Sequence, residues 1–371
     1  NGPPPPSQAT RSVSTVMVSK GSVTITLLGR RRMIAAASLP VMLAACSPVV
    51  IPAGQKAAAS YLTADRYVAA DGTALPLAVW PAAGGEPPTA IILGLHGFGD
   101  YRDAFEEPAK IWSATGITTY AYDQRGFGKS PTRGRWPGTD TLADDAIAVA
   151  NLVRARHPGV PFYVVGESMG GALALVAADR GMEADGLVLS AAAVRSRESL
   201  GPVASWGLWF FGHTIPWMPA GPTSIDFKPT DNPKTIEKLQ NDPMMLRQPR
   251  FDMGYGLVDL MDAGCDAAER VHMPYMMLHG MGDRLVPTDA VKIAIEVMPP
   301  RRDSKLAFYK NGYHLLMRDK DGPKVAADIA AWVSNHEAAL PSGADAEHSQ
   351  PKLAAMWGAK RPQQSIGENV R

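Results

Sequence analysis

The chain has 371 residues, 46% hydrophobic and 20% charged, the balance of a packed globular protein with a sizeable core. Its 37 basic and 36 acidic residues leave a formal net charge of +1, so no broad electropositive surface exists to attract nucleic acid. The two cysteines, Cys46 and Cys265, stand far apart in unlike settings and support neither a disulfide framework nor a thiolate metal site; Cys265 reads as a small buried hydrophobe or a spare thiol.

In chain order the first feature is an address. Arg30, Arg31 and Arg32 precede an apolar run from Met33 to Ala45, too short to span a bilayer as a helix, and small residues then lead to Cys46. This is the pattern of an export signal. Its end, Leu43-Ala44-Ala45-Cys46, resembles the lipobox of bacterial lipoproteins, in which the cysteine is acylated and becomes the new N-terminus. The resemblance implies a lipid-anchored protein of the bacterial cell envelope, and Ser47, in place of Asp after the cysteine, points to the outer membrane. A soluble periplasmic or secreted protein is the alternative. Residues 1 to 46 are set apart from the fold, and residues 47 to 60, "SPVVIPAGQKAAAS", are expected to be a tether.

A folded domain is expected over residues 61 to 338. "YVAADGTALPLAVW" gives two short β-like runs about an Asp71-Gly72 turn, a hairpin signal. "AIILGLHG" is a continuous apolar run of the kind found in strands buried on both faces. Helical and strand-like segments then alternate: a helix over 101 to 115, a strand over 117 to 123, a helix over 141 to 157, and the strand "FYVVGES" entering a helix at Met169. Further strands are expected at 186 to 193, 274 to 280 and 304 to 310, with helices at 289 to 297 and 322 to 335. Such alternation implies an α/β fold with a doubly wound, mostly parallel sheet.

One interval breaks the rhythm. From about Arg195 to Val271 there is no strong strand, but Trp206, Trp209, Phe210, Phe211 and Trp217 occur with several prolines and many methionines. An insertion of that length in an alternating fold is expected to be a mainly helical cap. Residues 339 to 371 are polar and are expected to form a disordered tail. No internal repeat is present.

The segment with the clearest chemistry is Gly166-Glu167-Ser168-Met169-Gly170, a G-x-S-x-G at a strand-to-helix junction. Its glycines permit the sharp turn that exposes a serine Oγ above the sheet, with helix amides directed at developing negative charge. A serine hydroxyl is a poor nucleophile at neutral pH and needs a histidine base and an acid to orient it. Of eight histidines, His314 in "YKNGYHLLMRD" falls in a loop after the last expected strand, at the sheet end where ligands bind. Asp283 in "MLHGMGDRLVP" follows a strand and precedes His314, giving the order Ser, Asp, His. His96 and His279 each precede a glycine at a strand end and read as structural.

The loop "GLHGFGD" after the first long buried strand can offer the amide of Phe98, paired with that of Met169, as an oxyanion hole. Trp206, Trp209 and Phe210 have helical spacing and either pack the cap onto the core or contact an acyl chain; Met244 and Met245 either shape an adaptable pocket or fill gaps. "RGFGKS" ends like a phosphate-binding loop, but Asp123 occupies the position of its first glycine and the match fails. With no H-E-x-x-H and no cysteine pair, a catalytic metal finds no support, and no cofactor is expected.

Taken together, "LHGFGDYRDAF", "YDQRGFGKS", "VGESMGGALAL", "LHGMGDRLVP" and "NGYHLLMRD" resemble the α/β-hydrolase superfamily and, within it, the monoacylglycerol lipase and lysophospholipase group. The resemblance implies a nucleophilic Ser168 with Asp283 and His314 as partners, an oxyanion hole at Phe98 and Met169, and a cap near 195 to 271. It also implies hydrolysis of lipid esters. Cap residues such as "WGLWFFGHTIPWMP" depart from the animal monoglyceride lipases, and this leaves a short-chain carboxylesterase, a thioesterase, an acyltransferase or a non-catalytic lipid-binding envelope protein as alternatives.

Overall fold

Nine strands make one sheet in the computed structural model, which describes Gly2, residues 47 to 220 and residues 228 to 358. The expected export signal and Cys46 lie outside the described residues, as does part of the expected cap. In chain order the strands are β1 (Tyr61–Leu62), β2 (Arg66–Val68), β3 (Ala74–Trp80), β4 (Ala90–Leu95), β5 (Ile117–Tyr122), β6 (Phe162–Glu167), β7 (Gly186–Ser190), β8 (Tyr275–Gly280) and β9 (Lys305–Tyr309). Their order across the sheet is β1-β2-β3-β5-β4-β6-β7-β8-β9. The run from β5 to β9 is parallel, and β1, β2 and β3 add an antiparallel edge. The expected α/β class and doubly wound sheet are observed.

Helices α1 (Glu106–Ala114), α2 (Thr139–Arg156) and α3 (Met169–Asp179) alternate with the first parallel strands. After β7 come α4 (Pro202–Thr214), α5 (Pro233–Asn241) and α6 (Phe251–Ala268). The chain then forms α7 (Thr288–Val297), α8 (Gly322–Ser334), α9 (Ala346–Ser349) and α10 (Pro351–Gly358).

The continuous apolar run of β4 has a direct cause. Ile91, Leu93 and Leu95 join the core on the α2 and α3 side, while Ala90 and Ile92 join the core on the opposite face with Trp112 and Trp332. Both faces are covered, so no position of the strand can be polar without a partner. Each large side chain so buried contributes about 1.5–3 kcal/mol. The chain leaves β4 toward β5 on one side and reaches β6 on the other, which puts a topological switch point at the C-terminal ends of β4 and β6.

Three expected boundaries change. Helix α6, inside the expected cap interval, is largely scaffold: Met253, Leu260, Ala267 and Ala268 are buried in the main core, and a Cβ on Gly264 would stand 3.0 Å from that of Ala172 on α3. The expected disordered tail is folded as far as α10, since Leu340, Ala344, Ala346 and Leu353 are buried and the Phe308 amide donates to the Ala344 carbonyl. Residues 50 to 58 of the expected tether are pinned to the domain. Val50 bridges to Trp136, Ile51 N–H donates to the Trp136 carbonyl (2.8 Å), and Ala57 N–H donates to Ala70 (2.7 Å).

Candidate active site

Ser168 sits at the end of β6 and caps α3, with φ 53° and ψ −114°. Among the described residues, Ser168 and Ala191 alone have a positive φ without being glycine. Such a conformation costs on the order of 1–3 kcal/mol and persists because the surroundings impose it. The Ser168 amide donates to Ser190 (2.9 Å), and its carbonyl accepts from Gly171 and Ala193, both at 2.9 Å. The glycines explain the rest of the motif. A Cβ on Gly170 would overlap the Leu95 carbonyl, one on Gly166 would overlap the Gly170 carbonyl, and one on Gly171 would come to 2.5 Å from the Ala192 Cβ.

The three residues singled out by motif and order meet at this turn. His314 Nε2 lies 3.0 Å from Ser168 Oγ, and His314 Nδ1 lies 2.8 Å from Asp283 Oδ2. Asp283 Oδ1 accepts from the amides of Leu285 (2.8 Å) and Val286 (3.0 Å). Burial pushes the Asp283 carboxyl up, but the hydrogen bond and charge of His314 and these two amides outweigh it and hold the group below its ordinary range. An ionised Asp283 accepts, so Nδ1 carries the proton and Nε2 faces Ser168 Oγ as an acceptor. The serine hydroxyl makes no capping bond within its own helix and is free to donate to His314.

The loop after β4 borders the same point. A Cβ on Gly97 would stand 3.5 Å from the Ser168 Cβ, which places the loop carrying Phe98 against the Ser168 turn. Neither the Phe98 nor the Met169 amide donates to a protein acceptor among the described residues. The loop is held by His96 and Gln124. Gln124 N–H donates to His96 Nε2 (3.1 Å), so His96 Nδ1 carries its proton to the Gly97 carbonyl (2.9 Å), and burial keeps the ring neutral. The structural reading of His96 fits. His279 is also buried and neutral, its pKa pulled down to about 4 by burial, and neither ring nitrogen has a partner among the described residues.

Among the described residues no hydrogen bond or ring contact joins the expected cap residues to Ser168. Trp206 is 64% exposed and stacks on Phe210 (5.3 Å between centroids), and Trp209 is 49% exposed and stacks on His213 (4.7 Å). These rings cover one another along an exposed face of α4 and do not pack the cap onto the core. Met245 borders a cleft of about 690 Å³ between α1 and α5, together with Asp100, Lys238, Met317 and Arg318; Met244, Trp206, Trp209, Phe210 and Ser168 do not line it. Leu246, beside the two methionines, donates its amide to the Gly99 carbonyl (2.7 Å) and so ties this segment to the Phe98 loop.

Two charged clusters were not read from the sequence. Arg125 is buried between Asp145 on α2 (2.6 Å) and Asp71 of the hairpin turn (2.8 Å), which gives the R-G-x-G segment a structural role. Nearer Ser168, Arg318 Nη2 lies 2.6 Å from both Asp100 Oδ2 and Glu167 Oε2. Burial raises the Glu167 carboxyl above its ordinary range, with Arg318 opposing that rise. The one sequence signal for this cluster is that Glu167 and Arg318 flank Ser168 and His314 within motifs already recognised. No group of three or more His, Cys, Asp or Glu side chains suited to a metal ion occurs among the described residues.

A doubly wound sheet, a strained serine at a strand-to-helix turn and an Asp and His from later loops define an α/β-hydrolase, and the class is that of the ester hydrolases. The family model described as serine aminopeptidase S33 matches residues 86–321, more than half of the chain, and the chain belongs to that family. It is 28% identical over 291 residues to the monoglyceride lipase of Mus musculus, covering 76% of this chain and 94% of the relative. It is 24% identical over 253 residues to the monoacylglycerol lipase of Mycolicibacterium smegmatis, covering 67% and 89%. Among solved structures, a soluble variant of the Saccharomyces cerevisiae monoglyceride lipase in complex with a substrate analog shares the fold, with a TM-score of 0.62 and 19% identity over 78% of this chain and 98% of that one.

Proposed function

We propose that this protein cleaves carboxylic esters of lipids, monoacylglycerols or lysophospholipids, through an acyl-enzyme on Ser168. The observation that carries the reading is the hydrogen-bonded chain from Ser168 Oγ to His314 (3.0 Å) to Asp283 (2.8 Å). His314 Nε2 takes the Oγ proton as Oγ bonds to the ester carbonyl carbon, and the negative charge on the carbonyl oxygen is received by the amides of Phe98 and Met169. Collapse breaks the bond to the leaving oxygen, which receives the proton from His314. Water then attacks the acyl-enzyme, giving its proton to His314, and release of the fatty acid returns a proton to Ser168. Asp283 holds the required tautomer and balances the imidazolium. No step calls for a cofactor.

The lipid character of the substrate is supported by the mammalian and mycobacterial monoglyceride lipases to which the chain is similar. Placement at a membrane through a lipidated Cys46 belongs to the same reading. Val50 is pinned at Trp136, whose indole fills the space beside Gly256 of α6, and α4 rests on the adjacent turn of α6 through Phe211 on Phe251. Cys46 precedes the pinned Val50 by four residues in sequence. Changing Cys46 to Ser should move the protein from the membrane to the soluble fraction, and a wild type already soluble would refute the anchor.

The test of the activity is hydrolysis of monoacylglycerols and simple esters of increasing chain length, with Ser168→Ala as control. Activity that rises with chain length and vanishes in the control is expected. Activity confined to short esters would make the protein a carboxylesterase, and activity no higher than the control would leave a lipid-binding protein.

A further inference from the structure

Three separate loops must be in register for the proposed reaction, and one buried side chain touches two of them while belonging to the third. Glu167 ends β6 immediately before Ser168. Asp100 closes the loop of Phe98, its amide donating to the Gly97 carbonyl (3.2 Å) and its Oδ1 accepting from Tyr101 N–H (2.9 Å). Arg318 lies four residues after His314 in a short 3-10 turn, its amide donating to the Leu315 carbonyl (2.8 Å). The side chains are 10%, 6% and 1% exposed for Arg318, Asp100 and Glu167, so the guanidinium is held away from water between two carboxylates.

The same residue also reaches the cap. The Arg318 carbonyl accepts from Thr235 Oγ1 (2.8 Å) and Asn232 Nδ2 (3.1 Å), while Asn232 caps α5 through the Lys234 amide. A charged group so buried is weak evidence for stability, because apolar side chains of similar volume would serve a core as well or better. What apolar side chains would lack is the charge at Nη2, which donates to Glu167 Oε2 and lies 2.6 Å from Asp100 Oδ2.

We propose that Arg318 is a positioning residue that holds the Phe98 loop and the Ser168 turn in register with His314, so that its loss slows the chemical step more than it weakens substrate binding. This rests on the reading of Ser168 as the nucleophile. No hydrogen bond joins Arg318, Asp100 or Glu167 to the Ser168 hydroxyl, which meets His314; they act through the loops that carry Ser168, Phe98 and His314.

The experiment uses the full chain and four variants: Arg318→Met, Arg318→Lys, Asp100→Asn, and the triple Arg318→Met/Asp100→Asn/Glu167→Gln. The triple removes the charges together and leaves no carboxylate buried without a cation, and Asp100→Asn leaves a balanced Arg318–Glu167 pair. kcat and KM on a chromogenic ester are measured beside the rate of Ser168 labelling by a fluorophosphonate and the melting temperature. The wild type must first turn over and label, and Ser168→Ala must do neither; failure there refutes the hydrolase reading and not the role of Arg318.

Given an active wild type, the folded triple variant is expected to lose between about 10-fold and 100-fold in kcat and in labelling rate, the range seen when reacting groups are slightly misplaced. KM should stay within about twofold, because ground-state contacts are untouched. Arg318→Lys, which keeps the charge without the rigid planar group, should fall between the triple variant and wild type, and Asp100→Asn should lose less than the triple. Wild-type kcat and labelling in the folded triple variant would overturn the proposal. Loss of the fold in both the triple variant and Asp100→Asn would assign the cluster to stability and overturn it equally.

Discussion

The sheet end that carries Ser168 and the helix that carries Trp206 are both rich in signals a sequence can show, yet only one is locked in place. At the sheet end Ser168, Asp283 and His314 have assigned partners: Asp283 has His314 and two amides, His314 has Ser168, and the elbow glycines leave no room for a Cβ. On α4 the large rings are exposed and mainly meet one another. Fixed partners suit chemistry that fails with an ångström of error, while a loosely held aromatic face suits contact with something outside the domain.

The largest effect that would test this contrast is on activity. Ser168→Ala should reduce kcat on the order of a millionfold with the melting temperature unchanged, and Asp283→Asn should reduce it by about ten-thousandfold because His314 would adopt the wrong tautomer. Steady-state kinetics on any ester the wild type cleaves checks both. If Asp283→Asn kept wild-type kcat, the hydrogen bond to His314 would have no part in turnover.

Next in size is a steric effect at the same end. Gly170→Ala would drive a methyl group into the Leu95 carbonyl and should cost more than about 4 kcal/mol or abolish folding. Denaturant melts decide it, and a loss under about 1 kcal/mol would mean that the elbow has slack.

His279 supplies a pH effect. Its folded-state pKa of about 4 lies below the ordinary 6.5, so between these values the unfolded chain binds a proton that the folded chain refuses. This contribution to stability is full above pH 6.5 and is lost as pH falls toward 4, by up to about 3 kcal/mol. Buried His96 acts in the same direction. Urea melts across that range should fall less steeply for His279→Leu than for wild type, and equal slopes would contradict the burial account.

The smallest stability effect belongs to the cap face. Trp206→Ser with Trp209→Ser should change stability by less than about 1 kcal/mol, as exposed positions do, while raising KM for long-chain esters and leaving short ones unaffected. A large loss of stability would show that α4 is as firmly packed as the elbow.

How much was legible follows from the same contrast. The strands of the sheet were visible because burial on both faces forces unbroken apolar runs, and the elbow because its glycines have steric causes local to the motif. Asp283 and His314 could be found because chain order repeats what the fold requires. Arg318, Asp100 and Glu167 were missed because a charged residue reads as solvated until its distant partner is known, and Arg318 stands 151 residues from Glu167 and 218 from Asp100 in sequence. The pinned strap at 50 to 58 was missed because it is held by backbone hydrogen bonds while its side chains stay exposed, leaving no apolar pattern to see. The folded segment beyond Leu340 depends on a few small or apolar anchors in polar surroundings, too sparse to register as a period.

The most direct measurement is to treat the full chain with a fluorophosphonate and map the adduct by peptide mass spectrometry. One modified residue, Ser168, is expected, with labelling lost in Ser168→Ala and sharply slowed in His314→Ala. An unmodified Ser168 in a folded protein, or an adduct at another serine, would contradict it.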